Sequence, residues 1–289
     1  MRKKLYLEPA NPGNLMFRLM FAEHVRRQVP GAVITGASLP EWGILLADDR
    51  PKNPVKVGAG NRFDVPGLIK MLNDPDCDGA VLSNFGLRLK FFERNRNHFT
   101  QLFQTTTGGQ VTEPDELVIH VRAGDILTGL HEDYSPVPIA YYRRLVESTG
   151  LKPVFNGQTR GSYYSDALRK AFPNARFLSG NHWIDDFQTT RNVENIVIGV
   201  SSFIWLGAWL SETAKQIYMP QLGLFNPQQR PDVDLAPKGD PRYIFEQFPV
   251  EKFKGTKEQI MRLLADSTGR EPVWAGGAGV TAKWMGNSL

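Results

Sequence analysis

Short apolar runs alternate with helical patterns through the second half of the chain, and this alternation limits the fold more than any other feature. Residues 117–121, 153–156 and 195–200 each have the composition of a buried strand, and amphipathic segments lie between them. Strands separated by helices pair in parallel, because each helix carries the chain back across the sheet. The sequence therefore predicts an α/β fold with a parallel sheet.

The first half of the chain shows the same alternation in a weaker form. A helix is predicted over residues 15–25, where Pro30 and Gly31 follow and stop it. Two further strands and two further helices are predicted, at residues 32–35, 79–83, 61–75 and 91–103. These elements suffice for a second sheet. The whole chain thus predicts two Rossmann-like lobes with parallel sheets and a cleft between them.

A segment without core residues separates the two halves. Residues 104–114 contain a run of threonines followed by two glycines, a composition typical of a linker. We therefore expect an N-terminal lobe over residues 1–110, a C-terminal ligand-binding lobe over residues 111–222, and an extension over residues 223–289 that packs on the lobes. In the extension a helical pattern is clear only at residues 257–264. The end from Gly276 onward is expected to be a mobile tail or to extend over the first lobe.

Composition excludes several classes of protein. The 289 residues are 41% hydrophobic and 22% charged, which is ordinary for a globular chain and excludes a disordered one. The net charge is only +4 and no basic stripe is present, so we expect no nucleic-acid partner. Cys77 is the single cysteine, so the chain can form no intramolecular disulfide.

No segment of the sequence is long enough to cross a bilayer. The most apolar run, residues 196–210, has 15 residues, whereas a spanning helix needs about 20. The basic start of the chain is followed at once by Glu8 and Pro9, so the apolar core of a signal peptide is missing. We expect a soluble, cytoplasmic protein without a transmembrane segment.

The first candidate site follows the most apolar strand. After residues 117–121 come Arg122, Gly124 and Asp125, and ligands of open α/β sheets bind at this carboxyl edge. The guanidinium group of Arg122 matches phosphate oxygens, and Gly124 lets backbone amides approach an anion. Asp125 can cap the turn or hold Arg122. The alternative interpretation is an ordinary capped turn with a surface arginine.

Two further turns have the composition of anion sites at helix N-termini. Ser201 and Ser202 follow a buried strand and precede an apolar helix, where free N–H groups and the helix dipole favour a phosphate. They can equally serve only to cap that helix. Gly13 and Asn14 stand at the start of the first predicted helix, but without a complete G-x-G-x-x-G pattern.

Metal and acid–base chemistry have weaker support in the sequence. The five histidines show no ligand spacing. Two Asp-x-Asp pairs, Asp74 with Asp76 and Asp232 with Asp234, resemble the motif of metal-dependent glycosyltransferases, but both lie in proline-rich loops. In the loop His131-Glu132-Asp133, the two carboxylates are candidate acid–base groups or a solvated charge cluster.

Taken together, four motifs resemble those of a known enzyme superfamily. His120-Val121-Arg122-Ala123-Gly124-Asp125 is similar to the H-x-R-R-G-D motif of the bacterial α1,2-fucosyltransferases and of the related nodulation α1,6- and protein O-fucosyltransferases. The other matching segments are Gly13-Asn14-Leu15-Met16-Phe17, Val137-Pro138-Ile139-Ala140-Tyr141-Tyr142 and the run from Ser201 to Leu210. Their order and approximate spacing also match, over roughly residues 10–220.

The resemblance implies a GT-B fold and an inverting fucosyl transfer from GDP-fucose to a glycan or other hydroxyl acceptor, with no cofactor and no essential metal. It implies that the first lobe serves the acceptor and the second the donor. By match, Arg122 would stabilise the charge on the departing GDP. The remaining donor-binding residues implied are His120, Gly124, Asp125, Asp186, Ser201, Ser202, Phe203, Gly13 and Asn14.

The sequence also departs from the family pattern. Ala123 stands in place of the second arginine of the motif, and Leu15, Ile204 and Leu206 replace other family residues. These changes leave open another nucleotide-sugar donor, or a non-catalytic protein that binds nucleotide sugars on the same fold. The family offers no match for a catalytic base. Glu132, Asp133 and Asp125 are candidates by chemistry alone.

Overall fold

A computed structural model describes residues 2–58, 60–104, 108–129, 131–178 and 182–266. Two sheets form its framework, and every strand pair in both is parallel. The first sheet has the order β2-β1-β4-β3. Its strands are β1 (Lys4–Leu7), β2 (Val33–Gly36), β3 (Pro54–Val57) and β4 (Gly79–Leu82). The helices of this half are α1 (Pro12–Arg26), α2 (Val65–Leu72) and α3 (Arg96–Leu102).

The second sheet is larger and has the order β10-β9-β8-β5-β6-β7. Its strands are β5 (Glu116–Val121), β6 (Lys152–Gly157), β7 (Arg176–Phe177), β8 (Asn195–Val197), β9 (Gln216–Gln221) and β10 (Tyr243–Gln247). Its helices are α4 (Ile139–Thr149), α5 (Tyr163–Ala171), α6 (Trp183–Asn192), α7 (Ser202–Leu210) and α8 (Lys257–Leu264). The predicted α/β fold with two parallel sheets is confirmed.

Strand order fixes where a ligand can bind. Counted along the chain from β5, the second sheet runs 3-2-1-4-5-6, the order of doubly wound dinucleotide-binding folds. The chain leaves β5 toward β6 on one side and later returns through β8 on the other side. In folds with this order the ligand binds in a crevice between the loops that follow these two strands, so the carboxyl edge at β5 and β8 is the expected place for a site. In the first sheet the corresponding place lies between β1 and β4.

The central strands are apolar because helices cover both of their faces. In β5, Leu117, Val118, Ile119 and Val121 are completely buried, which is the expected pattern for a parallel strand. Helix α1 is buried around most of its circumference, because it packs on its own sheet and also on α7 of the other half. A single hydrophobic core consequently runs through both halves of the molecule.

Side chains from each half bind the other. The guanidinium group of Arg96 on α3 donates to the carbonyls of Trp209 and Ser211, both at 2.7 Å. In the opposite direction, Arg191 on α6 donates to the carbonyls of Phe103 and Thr100. These charge-assisted bonds, buried for Arg191 and partly buried for Arg96, satisfy the carbonyl groups left free at helix ends and fix the two halves against each other.

The structure differs from the sequence prediction at several elements. The helix expected over 91–103 is wrong in its first part: residues 89–91 and 93–95 form two 3₁₀ turns, and only Arg96–Leu102 is α-helical. Phe91 and Phe92 are consecutive, yet both are buried against different aromatic neighbours, Phe21 and Trp209 respectively. In an α-helix adjacent side chains point about 100° apart, and the tighter 3₁₀ turn increases this angle. The 3₁₀ turns therefore suit two consecutive residues that pack against different neighbours.

Other differences concern short strands and strand ends. The strands β1, β3 and β10 were not predicted, since each has only four or five residues and little alternation. The strand expected over 195–200 ends at Val197, because the chain must turn at Gly199 to reach α7.

Residues 83–115 connect the two sheets and include the predicted boundary at 104–114. The proposed extension, residues 223–289, contributes β10 to the second sheet and α8 beside α4 and α5. Its end from Gly276 onward lies outside the described residues. The limits of the lobes stay a prediction. In the described part of the chain no helix has both the length and the apolarity to span a membrane.

Candidate functional site

The segments singled out in the sequence meet at the carboxyl edge of the second sheet. The pairing of β5 with β8 joins Ile119 to Val197, so the loops that follow the two strands leave the sheet side by side. The loop after β5 begins with Arg122, and the loop after β8 leads to Ser202 at the start of α7. This is the crevice that the strand order predicts.

His120, near the end of β5, fills a slot between two glycines. A Cβ on Gly157 would lie 2.8 Å from the imidazole Nε2, and a Cβ on Gly199 would lie 2.8 Å from Nδ1. Gly157 ends β6 and Gly199 follows β8, so any side chain at either place would displace the histidine. The neighbouring strands have glycine where the imidazole needs the space.

Burial sets the charge of this histidine. His120 is 6% exposed, and desolvation together with the nearby positive charge of Arg122 lowers its pKa from 6.5 to about 3. The ring is therefore neutral at physiological pH. Its Nδ1 atom is buried and has no hydrogen-bond partner among the described residues. A neutral ring with an unpartnered nitrogen next to the β8–α7 loop can accept or donate one hydrogen bond to a ligand.

Arg122 is held in the turn that follows. Its guanidinium group pairs with Asp125 at 2.5 Å, and about a third of the arginine side chain is exposed. The carboxylate orients the cation, while the exposed part can bind an anion. Asp125 opens a short 3₁₀ turn, and Ala123 between them is buried.

Two backbone N–H groups of this turn are bonded to Gln158, a residue that the sequence did not single out. The side-chain oxygen of Gln158 accepts hydrogen bonds from the backbone N–H groups of Ala123 and Gly124, each at 2.7 Å. A Cβ on Gly124 would lie 2.6 Å from the Gln158 amide nitrogen. Glycine at 124 thus makes room for this side chain, and its N–H is already bonded.

At the start of α7, Ser201 is the N-cap. Its hydroxyl accepts from the N–H of Ile204, so the capping interpretation is correct for this residue. Ser202 and Phe203 form the first helical positions and are half-buried. Backbone N–H groups at the first positions of a helix have no acceptor within it, so they can bind an anion.

The first helix begins beside α7. A Cβ on Gly13 would lie 2.9 Å from the Cβ of Phe203, so glycine is required for this close approach of the two helices. One turn later Phe17 stacks on Trp205, with 6.0 Å between the ring centroids. Asn14 is half-buried at the same end of α1. Two helix N-termini, each with a positive dipole end, therefore lie next to each other.

Helix α6 carries the next candidate, Asp186, in its first turn. The adjacent Phe187 stacks on Phe203 at 4.9 Å, which places the start of α6 near the start of α7. Trp183 contacts both Phe203 and Trp42 of the first half, at 5.6 and 5.8 Å between centroids. This aromatic cluster packs the two halves together beside the crevice.

The acid–base candidates are all engaged with cations. Glu132 lies 3.3 Å from the ammonium group of Lys252 and 3.9 Å from that of Lys254. Asp133 accepts from the Gln229 amide at 3.3 Å and lies 3.8 Å from Arg230. Both therefore contact the segment after β9, whereas Asp125 pairs with Arg122.

The Asp-x-Asp pair at 232 and 234 joins the two halves of the molecule. Asp232 binds Arg230 through both of its oxygens, at 3.0 and 2.9 Å, and accepts from Asn61 of the first half at 2.9 Å. These bonds hold the pKa of Asp232 at about 2. Asp234 lies 3.8 Å from Arg88, also of the first half.

The second pair also has a local partner, since the Asp74 carboxylate accepts from the N–H of Asp76. Within the described residues, no three His, Cys, Asp or Glu side chains are grouped so that they could hold a metal ion.

The first sheet also has an arginine at the corresponding place, between the loops that follow β1 and β4. Arg18 on α1 is 6% exposed and donates to four backbone carbonyls. These belong to the loops after β1 and β4, namely Glu8, Pro9, Ser83 and Asn84. Burial lowers its pKa, yet the group stays a cation. Its guanidinium group is bonded to the protein's own carbonyls and is not available to a ligand.

Sequence reasoning missed Gln158, Arg18 and the contacts of Asn61. Only Gln158 left a usable signal: a polar residue directly after an apolar strand, one strand away from Arg122. Arg18 looked like an ordinary polar position of a helix. The pairing of Asn61 with Asp232 spans 171 residues and has no local signature.

Comparison with known proteins gives structural neighbours only. No family model matches this chain, and no curated protein sequence matches it either. Among solved structures, E. coli heptosyltransferase WaaC with ADP is 12% identical, with a TM-score of 0.44, over 92% of this chain and 100% of that chain. WaaC with ADP-2-deoxy-2-fluoro heptose is 13% identical, with a TM-score of 0.41, over 86% and 94%. E. coli ADP-heptose lps heptosyltransferase II is 11% identical, with a TM-score of 0.43, over 91% and 98%.

Proposed function

We propose that this protein is a glycosyltransferase of the GT-B type that takes its sugar from a nucleotide diphosphate donor. The single observation that carries the proposal is the meeting of Arg122 and the N-terminus of α7 at the reversal point of the second sheet. A cation and free helix N–H groups at one crevice suit a diphosphate. The neighbouring start of α1 adds a second positive dipole end.

The residues divide the chemistry of transfer between them. As the bond from the sugar to the diphosphate breaks, negative charge grows on the leaving phosphate, and Arg122 with the α7 N–H groups neutralises it. His120 is neutral and offers a hydrogen bond without adding charge. The acceptor hydroxyl attacks from the opposite face, so the configuration inverts. Asp125, Glu132 and Asp133 are the candidate bases for its proton.

The finer proposal is that the donor is GDP-fucose and that transfer needs no metal. The motif order from Gly13 to Leu210 supports it. So do the partners of Asp232 and Asp234, which the structure engages with arginine and asparagine. Another nucleotide sugar stays an alternative, because Ala123 replaces one motif arginine. Heptosyl transfer from an ADP-activated donor belongs in the same screen.

Direct binding measurements test the proposal. We expect GDP or another nucleoside diphosphate to raise the melting temperature of the protein and to bind with a measurable Kd. Arg122→Ala should raise that Kd about 10- to 100-fold, because a charge-assisted hydrogen bond contributes about 1.5 to 3 kcal/mol. Arg26→Ala, at an exposed arginine on the far end of α1, is the matched control and should change nothing.

The activity assay separates the alternatives. Mass spectrometry should detect hydrolysis or transfer of one donor from a panel of GDP-, ADP- and UDP-sugars, and excess chelator should leave the rate unchanged. Failure of every nucleoside diphosphate to bind would contradict the proposal. Binding without turnover would favour the non-catalytic alternative, which the missing cation at the buried Ala123 supports.

A further inference from the structure

Gln158 reaches across from the neighbouring strand and binds the turn that carries Arg122. It directly follows Gly157, the last residue of β6, and its own N–H donates to the carbonyl of Val121 at 2.9 Å. Its side-chain oxygen then accepts from two consecutive N–H groups, those of Ala123 and Gly124. Three hydrogen bonds thus join Gln158 to the β5 side, one to the last residue of β5 and two to the turn that follows it.

The direction of this contact distinguishes two roles for the residue. Two adjacent N–H groups that point at one oxygen could also bind a phosphate oxygen. In that role a phosphate would displace the Gln158 side chain from these N–H groups. However, Gln158 comes from β6, whereas the crevice of the second sheet lies on the other side of β5, toward β8. The carboxamide therefore supports the turn from behind, on the side away from the proposed diphosphate.

Besides the buried side chains of Ala123 and Ile126, the turn has few contacts that could orient Arg122. Arg122 pairs with Asp125 of the same turn, so this ion pair holds the two side chains together without anchoring them to the sheet. Gly124 has no side chain to pack, and it cannot gain one without displacing Gln158. Gln158 itself is exposed, so its bonds contribute little to the hydrophobic core.

We infer that Gln158 is the positioning residue for Arg122: its side-chain oxygen fixes the two peptide groups that follow the arginine and so aims the guanidinium group at the crevice. The inference rests on the proposed function, because it takes Arg122 as the residue that binds the phosphate of the ligand. Preorganised donors bind an anion better than mobile ones, since no ordering is needed on binding.

The variant Gln158→Met keeps the length of the side chain and removes its acceptor. We expect the Kd for GDP to rise about tenfold while the Kd for guanosine, which has no phosphate, stays the same. In an Arg122→Ala background the same change should have no further effect, because Gln158 acts through the arginine. Gln101→Met, at an exposed glutamine of α3, is the control.

Each other outcome decides against the inference. An unchanged Kd for GDP would overturn it and leave the proposed function standing. Tighter GDP binding would identify Gln158 as an occupant that the phosphate displaces. Equal losses for GDP and guanosine, or additive effects with Arg122→Ala, would assign it a general structural role.

A ligand-free measurement keeps the inference testable if no nucleoside diphosphate binds to the wild-type protein, a result that would contradict the proposed function. Hydrogen exchange at the amides of Ala123 and Gly124 should be at least tenfold faster in Gln158→Met, because both protecting bonds are lost. Gln158→Glu retains an acceptor oxygen and should restore protection. Unchanged exchange in Gln158→Met would refute the contact itself.

Discussion

In each sheet the first strand along the chain lies beside a strand that the chain reaches later, β4 beside β1 and β8 beside β5, and an arginine lies near each of these places in a different setting. Arg18 of the first sheet is buried and donates to four backbone carbonyls, so it holds the loops after β1 and β4 together. Arg122 of the second sheet is partly exposed, and its one ion pair in the described part of the chain is with Asp125 of its own turn. Of these two arginines, only Arg122 is exposed enough to be available to a ligand.

Both places contain a buried polar side chain without a partner among the described residues: the amide of Asn84 after β4 and the imidazole of His120 beside Arg122. His120 has an unpartnered buried Nδ1 in a slot between two glycines, a costly arrangement unless something binds there. In the first sheet the corresponding loop is tied by Arg18 and leads to Gly13, which packs on Phe203. In the proposed function the first half lines the site and the second half supplies its cation.

The largest expected effect is a difference in the free energy of unfolding between variants of the two arginines. Arg18→Met should lower the free energy of unfolding by about 3 kcal/mol or more, because four carbonyls lose a buried cationic donor. Arg122→Met should change it by less than about 1 kcal/mol, as expected for an exposed ion pair. Urea unfolding of both variants checks this. Similar losses in both would remove the distinction between a structural and a functional arginine.

The next effect uses pH and His120. Its pKa is about 3 in the folded protein and about 6.5 when unfolded, so protons bind preferentially to the unfolded chain between these values. The stability that neutral His120 permits above pH 6.5 is therefore lost as pH falls toward 3, at up to about 1.4 kcal/mol per pH unit.

Urea midpoints at pH 7 and pH 5 should differ clearly more for the wild-type protein than for His120→Gln. His24 of the first half is the matched control. Burial also lowers its pKa, but it is less buried, so His24→Gln should reduce the pH dependence less. Parallel pH profiles for wild type and His120→Gln would show that the imidazole is reached by protons in the native state.

The smallest effect concerns the contact between the two halves. Gly13→Ala would place a Cβ 2.9 Å from the Phe203 side chain, so the starts of α1 and α7 must separate by a few tenths of an ångström. Alanine also favours the helix, so we expect little change in stability. The Kd for GDP should rise by a factor of about 3, because the start of α1 moves away from the N-terminus of α7.

Gly239→Ala is the control for this variant, since a Cβ there meets nothing within 4 Å. Isothermal titration of both variants with GDP gives the comparison. An equal Kd for Gly13→Ala and wild type would show that the first half contributes nothing at this point of the crevice.

Much of the fold was predictable from local pattern. Residues 117–121 are apolar without a break, and a strand of this kind needs cover on both faces, which only a parallel α/β sheet provides. The helix at 257–264 was predicted to the residue, since Thr256 and Gln259 form a capping box at its start. The strands at 4–7, 54–57 and 243–247 were missed because their pairing partners, not their own composition, make them strands.

The candidate site was predictable only in part. The motif placed Arg122, Ser202 and Gly13 in separate segments, and the structure brings their segments to one region, although their roles stay predictions. The reason expected for Gly124 differs from the one observed, because Gln158 takes its N–H. The place of Gln158 after an apolar strand was a signal for the residue, but its bond to Gly124 spans 34 residues and depends on the pairing of two strands.

The sequence by itself determined the α/β class, the parallel character of the second sheet and the residues that stand at strand ends. Those properties follow from periodicity and burial within short segments. Only the tertiary structure decided which strand ends are neighbours, that Arg18 is consumed by backbone carbonyls while Arg122 is not, and that Asp232 joins the two halves. The physical reason is that a charged group's availability depends on partners far along the chain, and these are fixed only when the sheets have formed.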